Sequence, residues 1–145
     1  MKRMSVYAPG LAVAALLGAG LAGPALAQNS AFLSSNLFGN QVPEGGTEGA
    51  TADFNGEADP GRGRLCYYLE VHDLADADGA AIHEGEAGAS GPSLLPLPLP
   101  GDRNEEVCVT VDKTLLEAIM AAPAGYYVAV SAPGHPEGAI RGQLD

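Results

Sequence analysis

Apolar and polar residues alternate with period two along most of the chain, in short runs separated by Gly, Pro and Asp. That period marks strands with one face buried and one face wet. In the clearest run Leu65, Tyr67, Leu69 and Val71 fall on one face, and Cys66, Tyr68, Glu70 and His72 on the other. Val107, Val109 and Val111 repeat the pattern against Glu106, Cys108 and Thr110. Tyr126, Val128 and Val130 make a third apolar row, and a short strand is expected over 139–144. Weaker strand patterns lie at 31–37, 50–54, 80–83 and 93–97. Turn residues punctuate them at Asp59-Pro60-Gly61, Asp78-Gly79, Gly91-Pro92, Pro100-Gly101 and Pro133-Gly134.

One segment breaks the alternation. Thr114 and Glu117 have capping-box spacing, and Ile119 and Met120 follow Leu115 and Leu116 at helical intervals, which predicts one short helix within 114–122, stopped by Pro123 and Gly125. Leu and Pro alternate from Leu95 to Pro100; proline donates nothing to a ladder, so this stretch belongs on a sheet edge or in a polyproline-like loop. No internal repeat or linker divides the remainder. The expectation is a single all-β domain with one helix.

Composition adds a compartment. Lys2 and Arg3 precede an apolar run from Leu11 to Leu21, interrupted by glycine and followed by Ala25-Leu26-Ala27, the layout of a secretory signal peptide cleaved between Ala27 and Gln28. The run is too short and too broken for a spanning helix, so residues 28–145 are expected in a secreted or periplasmic location without stable membrane insertion. The formal charge of −11, with only 7 Lys and Arg, excludes nucleic-acid and anionic-membrane partners, which require clustered positive charge. Removing Lys2 and Arg3 makes the mature chain more acidic still.

Export also changes the reading of the 2 cysteines. Cys66 and Cys108 each stand out of phase with the aliphatic row of their strand, so one sheet face would carry both sulfurs, and disulfides persist outside the cytosol. A bridge closing so long a loop is worth roughly 4 kcal/mol in the chain-entropy description. The competing reading, a reactive thiol or metal pair, lacks CxxC spacing and a neighbouring His.

Several segments together resemble the chordin-type (CHRD) domain family, found in the signalling antagonist chordin and in many exported bacterial proteins. They are Val42-Pro43, Leu65-Cys66-Tyr67-Tyr68-Leu69, Ala81-Ile82-His83-Glu84-Gly85, Gly91-Pro92, Tyr126 to Val130, and the closing Pro136-Glu137-Gly138-Ala139-Ile140-Arg141-Gly142-Gln143-Leu144. The resemblance implies an immunoglobulin-like or superoxide-dismutase-like β-sandwich or barrel, with no general biochemical activity. It also implies an alternative, a metal-binding protein related to copper-zinc superoxide dismutase. Here the family's first His in its Ala-His-Ile-His segment is Ala81, and the His of its Val-His-Thr segment is Ser131. His83 is therefore left as a weak metal candidate, with His72 on a strand face and His135 in a Pro-flanked turn.

Other constellations lead to bland readings. Asp73, Asp76 and Asp78 with Glu84 and Glu86 offer oxygen donors, yet the spacing misses the EF-hand rule and fits a solvated acidic loop. Arg141, near Glu137 and Asp145, is expected to form a structural ion pair or to cap a turn. No nucleophile elbow, phosphate loop or His-Glu-x-x-His is present. The expectation is an exported, non-enzymatic module without cofactor, whose contact surfaces are its loops and the face of Tyr68, Glu70 and His72, and whose partner is an extracellular or periplasmic protein or surface ligand.

Overall fold

A computed structural model describes residues 29–145. The leader and the cleavage site at Ala27 and Gln28 lie outside the described residues. Eight strands follow in order: β1 (Ala31–Phe38), β2 (Thr51–Asp59), β3 (Arg64–His72), β4 (Gly79–Glu84), β5 (Ser93–Leu97), β6 (Val107–Thr110), β7 (Tyr126–Ala132) and β8 (His135–Gln143), with helix α1 (Lys113–Ala121) between β6 and β7. They form one antiparallel sheet in the order β5-β4-β7-β8-β1-β2-β3-β6, curled until it is nearly a barrel. The all-β expectation with a single helix holds.

The alternation explains the curl. β2 buries Ala52, Phe54, Gly56 and Ala58 and turns Asp53, Asn55 and Glu57 outward, and β3 does the same with Leu65, Tyr67 and Leu69. These rows meet Ile82, Leu97, Val128, Val130 and Ile140 from the other half of the sheet in one core. The two ends of the strand order approach each other without ladder pairing. There the Tyr67 hydroxyl, carried inward by β3, donates to the Pro98 carbonyl just beyond β5 at 2.6 Å. Burial pushes the Tyr67 phenol up to about 12. The Leu-Pro stretch begins in the edge strand β5, which holds Pro96, and runs out of the strand at Pro98.

Where β8 meets β1 the backbones come very close. A Cβ on Gly142 would collide with the Asn36 carbonyl and the Ser35 hydroxyl, so only glycine permits this crossing. The Ser35 hydroxyl is buried there without a hydrogen-bond partner.

Four expectations need correction. The helix is capped by Asp112, whose carboxylate accepts from the Thr114 and Leu115 amides at 2.8 and 3.3 Å, so it begins two residues before Leu115. Glu117, the expected reciprocal cap, instead approaches Lys113 at 3.6 Å, one turn away. β2 runs on through Glu57 and Ala58 to Asp59 rather than ending near Phe54, because β3 pairs along its whole length. His135 is not a turn residue: it opens β8 opposite Ala132.

The disulfide expectation matches the register. Cys66 and Cys108 are direct cross-strand partners on β3 and β6 and are bonded, with Cα atoms 4.0 Å apart and a sequence separation of 42.

Candidate functional site

β4, β7 and β8 turn an unusual set of side chains to the outside of the sheet. His83 stands opposite Tyr127, Tyr127 opposite Gln143, and Ala129 opposite Arg141. The Arg141 guanidinium carbon lies 3.5 Å from the centre of the Tyr127 ring, and the His83 ring stacks on Tyr127 with centroids 4.9 Å apart and planes at 12°. Cation, aromatic ring and imidazole thus form a packed file across three strands, an arrangement favoured by the negative faces of the ring.

The segment between β4 and β5 closes over this file. Arg141 donates to the carbonyls of Ala89 (2.8 Å) and Glu86 (3.2 Å) and to Gln143 Oε1 (2.8 Å). Gln143 in turn donates through its amide to the carbonyls of Gly85, Ala124 and Tyr126. The Tyr127 hydroxyl accepts from the Gly91 amide at 3.1 Å and donates to the Gly91 carbonyl at 3.3 Å. His83 Nδ1 is 3.1 Å from that same carbonyl, and since a carbonyl only accepts, Nδ1 carries the proton. Gly91 is needed for this knot, because a Cβ there would run into the Glu84 carbonyl.

Of the two roles expected for Arg141, the ion pair with Glu137 or Asp145 does not form and the turn cap does: it holds the carbonyls of Glu86 and Ala89, the two ends of a turn in which the Ala89 amide donates to the Glu86 carbonyl at 3.0 Å. Arg141 is 3% exposed, and its partners are neutral carbonyls, an amide oxygen and an aromatic face. Burial pulls its guanidinium below the usual arginine range, opposed by Tyr127 and Glu44. Asp145 instead accepts from the Ser34 hydroxyl.

The β7–β8 register shifts between Val130 and Ala132, leaving residues 136–138 of β8 without partners on β7. They line a cavity of about 560 Å³ with Glu44, Ser90, Tyr127 and His135, and a second of about 370 Å³ with Ala81, His83, Ala129 and Ser131. Ala81 and Ser131, the positions where the family resemblance expects histidine, therefore face the same hollow as His83. The hollow holds one imidazole whose Nδ1 is already engaged, leaving a single nitrogen donor where a zinc or copper centre takes three or four ligands. These residues do not fit a dismutase-type metal.

The remaining candidates stay apart. His72 lies on the outer face of β3, its Nε2 4.0 Å from Asp53 and 3.9 Å from Glu70. In the acidic β3–β4 region Asp78 accepts from the Ser131 hydroxyl at 2.8 Å, and Asp73 and Asp76 occupy left-handed turn positions. Among the described residues the one grouping of three metal-type donors is Cys66, Glu106 and Cys108, and its sulfurs are consumed by the disulfide.

The outer face of β1, β2 and β3 is different in kind. It carries Phe32 (84% exposed), Tyr68 (41%) and Phe38 (40%), the three exposed large hydrophobic side chains of the described residues. Tyr68, Glu70 and His72 stand here as the alternation expects, but Phe32 and Phe38 were not singled out, although their place on the wet phase of β1 is readable from the sequence.

A single antiparallel sheet, curled until its two ends meet at Tyr67 and Pro98 and carrying on a central strand an arginine buried under a loop, defines a β-barrel-like module. The CHRD domain family matches residues 33–144, and the chain belongs to that family. Comparison with curated proteins and with solved structures returned no match.

Proposed function

We propose that this CHRD-domain protein is an exported, non-enzymatic module with a binding or structural role, secreted or periplasmic after removal of residues 1–27. The observation that carries the reading is the segregation of exposed aromatics: the outer face of β1–β3 bears all three, while on the outer face of β4, β7 and β8 the 85–91 segment covers Tyr127 and Arg141. Aromatic side chains left on a polar surface are characteristic of contact sites. The leader's charge and apolar pattern support export.

Two measurements test this. Mass analysis of the protein recovered from the exported fraction should give a chain starting at Gln28, and an uncleaved chain retained in the cytosol would defeat the export half. Capture from that fraction with the wild-type protein should recover a partner that the Tyr68→Ala, His72→Ala double variant loses. Equal capture by both would remove this face from the reading.

A further inference from the structure

The face of β1–β3 has a charge pattern that selects a partner. Glu57 on β2 is directly opposite Phe32 on β1 and Cys66 on β3, so Tyr68, two residues on, is its diagonal neighbour. Opposite positions on one face are about 5 Å apart and diagonal ones about 7 Å, which puts both aromatic rings within reach of a group bound to Glu57. Further along the same face Asp53 and Glu70 are direct cross-strand partners. Like charges directly opposite one another destabilise a sheet. The outward positions of β2 and β3 carry the carboxylates Asp53, Glu57, Asp59 and Glu70 beside two basic side chains, Arg64 and His72. Arg64, directly opposite Asp59, is the other diagonal neighbour of Glu57, and Arg62 is committed to Asp59 at 2.7 Å, so acids outnumber bases on this face.

We propose that this face docks an arginine-bearing basic segment of a partner protein, with Glu57 taking a guanidinium between Phe32 and Tyr68 and the Asp53–Glu70 pair taking a second cation. The proposal rests on the reading of this protein as a binding module and deepens it by naming the partner's chemistry. A guanidinium suits the site better than an ammonium: its plane lies flat on an aromatic ring while its edge makes two parallel bonds to a carboxylate. A bound cation also joins His72, whose Nε2 lies 4.0 Å from Asp53 and 3.9 Å from Glu70, in offsetting the repulsion between the opposed carboxylates. Uncharged polymers supply no such relief.

The test is a titration of the protein with a fluorescent oligo-arginine peptide at low and physiological salt, beside oligo-lysine and a neutral oligosaccharide. Binding should weaken about tenfold in Glu57→Gln and in Phe32→Ala. It should weaken with salt, be weaker for oligo-lysine, and be unchanged in Glu117→Gln, which removes an exposed acid on α1. Phe32 is so exposed that its replacement leaves the fold intact, and Tyr68→Ala provides a second variant with the same expected direction. Failure of oligo-arginine to bind, or an equal loss in Glu117→Gln, overturns the proposal, the latter by showing attraction to overall charge alone. Oligosaccharide binding abolished by Phe32→Ala would overturn the cationic partner while leaving the contact face and the binding role in place.

Discussion

The two outer faces of the curled sheet solve opposite problems with the same alternating sequence. On β7 and β8 the outward residues Tyr127 and Arg141 are as buried as a core, because the 85–91 segment lies across them and exchanges six hydrogen bonds with Arg141, Tyr127, His83 and Gln143. On β1, β2 and β3 nothing in the described chain covers the outward residues, and aromatic rings stand among carboxylates. One face is therefore structural and the other available. The contrast also explains how a cation and a tyrosine can be spent on stability in a chain with only 7 Lys and Arg.

The bare half is fastened covalently at its edge. β6 pairs with β3 over only four residues, and the Cys66–Cys108 bond holds it there. Replacing both cysteines by serine should lower stability by roughly 4 kcal/mol, as expected for a closed loop with a separation of 42. Urea unfolding of the two proteins measures the difference. A loss well under 1 kcal/mol would mean that β6 is held by its apolar row alone.

The covered face has no covalent tie, so its arginine should matter almost as much. Arg141→Ala leaves the Glu86 and Ala89 carbonyls and the Gln143 amide oxygen without their donor and opens a void beside Tyr127. The expected cost is about 3 kcal/mol. Hydrogen exchange should show the 85–91 amides losing protection before those of β2 and β3. Uniform loss across the sheet would break the distinction between the faces.

The asymmetry between the halves was only partly legible in the chain. Alternation in Leu65 to His72 and in Val107 to Thr110 correctly assigned faces and the sulfur pairing, because both strands have one side in water, the condition under which period two carries information. It failed at Tyr126 to Ala132, where Tyr127 and Ala129 are buried as well as Val128 and Val130. The cover over Tyr127 comes from Gly91, 36 positions earlier, and no local pattern encodes it. For Arg141 the turn-capping alternative holds, but which turn it caps was not legible, because its partners are backbone carbonyls, which every sequence contains and none advertises. The helix was placed to within two residues, its cap missed because Asp112 and Thr114 are both good caps and the carboxylate two positions earlier prevails.

Between the halves, the seam closed by Tyr67 responds to alkali. Its phenol titrates at an ordinary 10.0 when unfolded and at about 12 when folded. The neutral form is the one folding favours, so this contribution is fully present below pH 10 and is lost as pH rises through 12, up to roughly 2–3 kcal/mol in all. Stability measured from pH 9 to 12 should fall more steeply for the wild type than for Tyr67→Phe, which has no proton to lose. Parallel curves would place the alkaline sensitivity elsewhere.

The smallest expected effect separates the faces most cleanly. Phe32→Ala removes an aromatic side chain that is 84% exposed, so little apolar area returns to water on unfolding and the stability change should stay within about 0.5 kcal/mol. Tyr127→Phe, a gentler substitution on the covered face, removes only a hydroxyl, yet that hydroxyl serves both the amide and the carbonyl of Gly91 and should cost about 1–2 kcal/mol. If the deletion of a whole ring on one face costs less than the loss of one oxygen on the other, the exposed aromatic has no folding role to explain it. Its place among Glu57, Asp53 and Glu70 is then a matter of what the face meets. Were Phe32→Ala to cost as much as Tyr127→Phe, Phe32 would be a packing residue, and the bare face would be a second structural one.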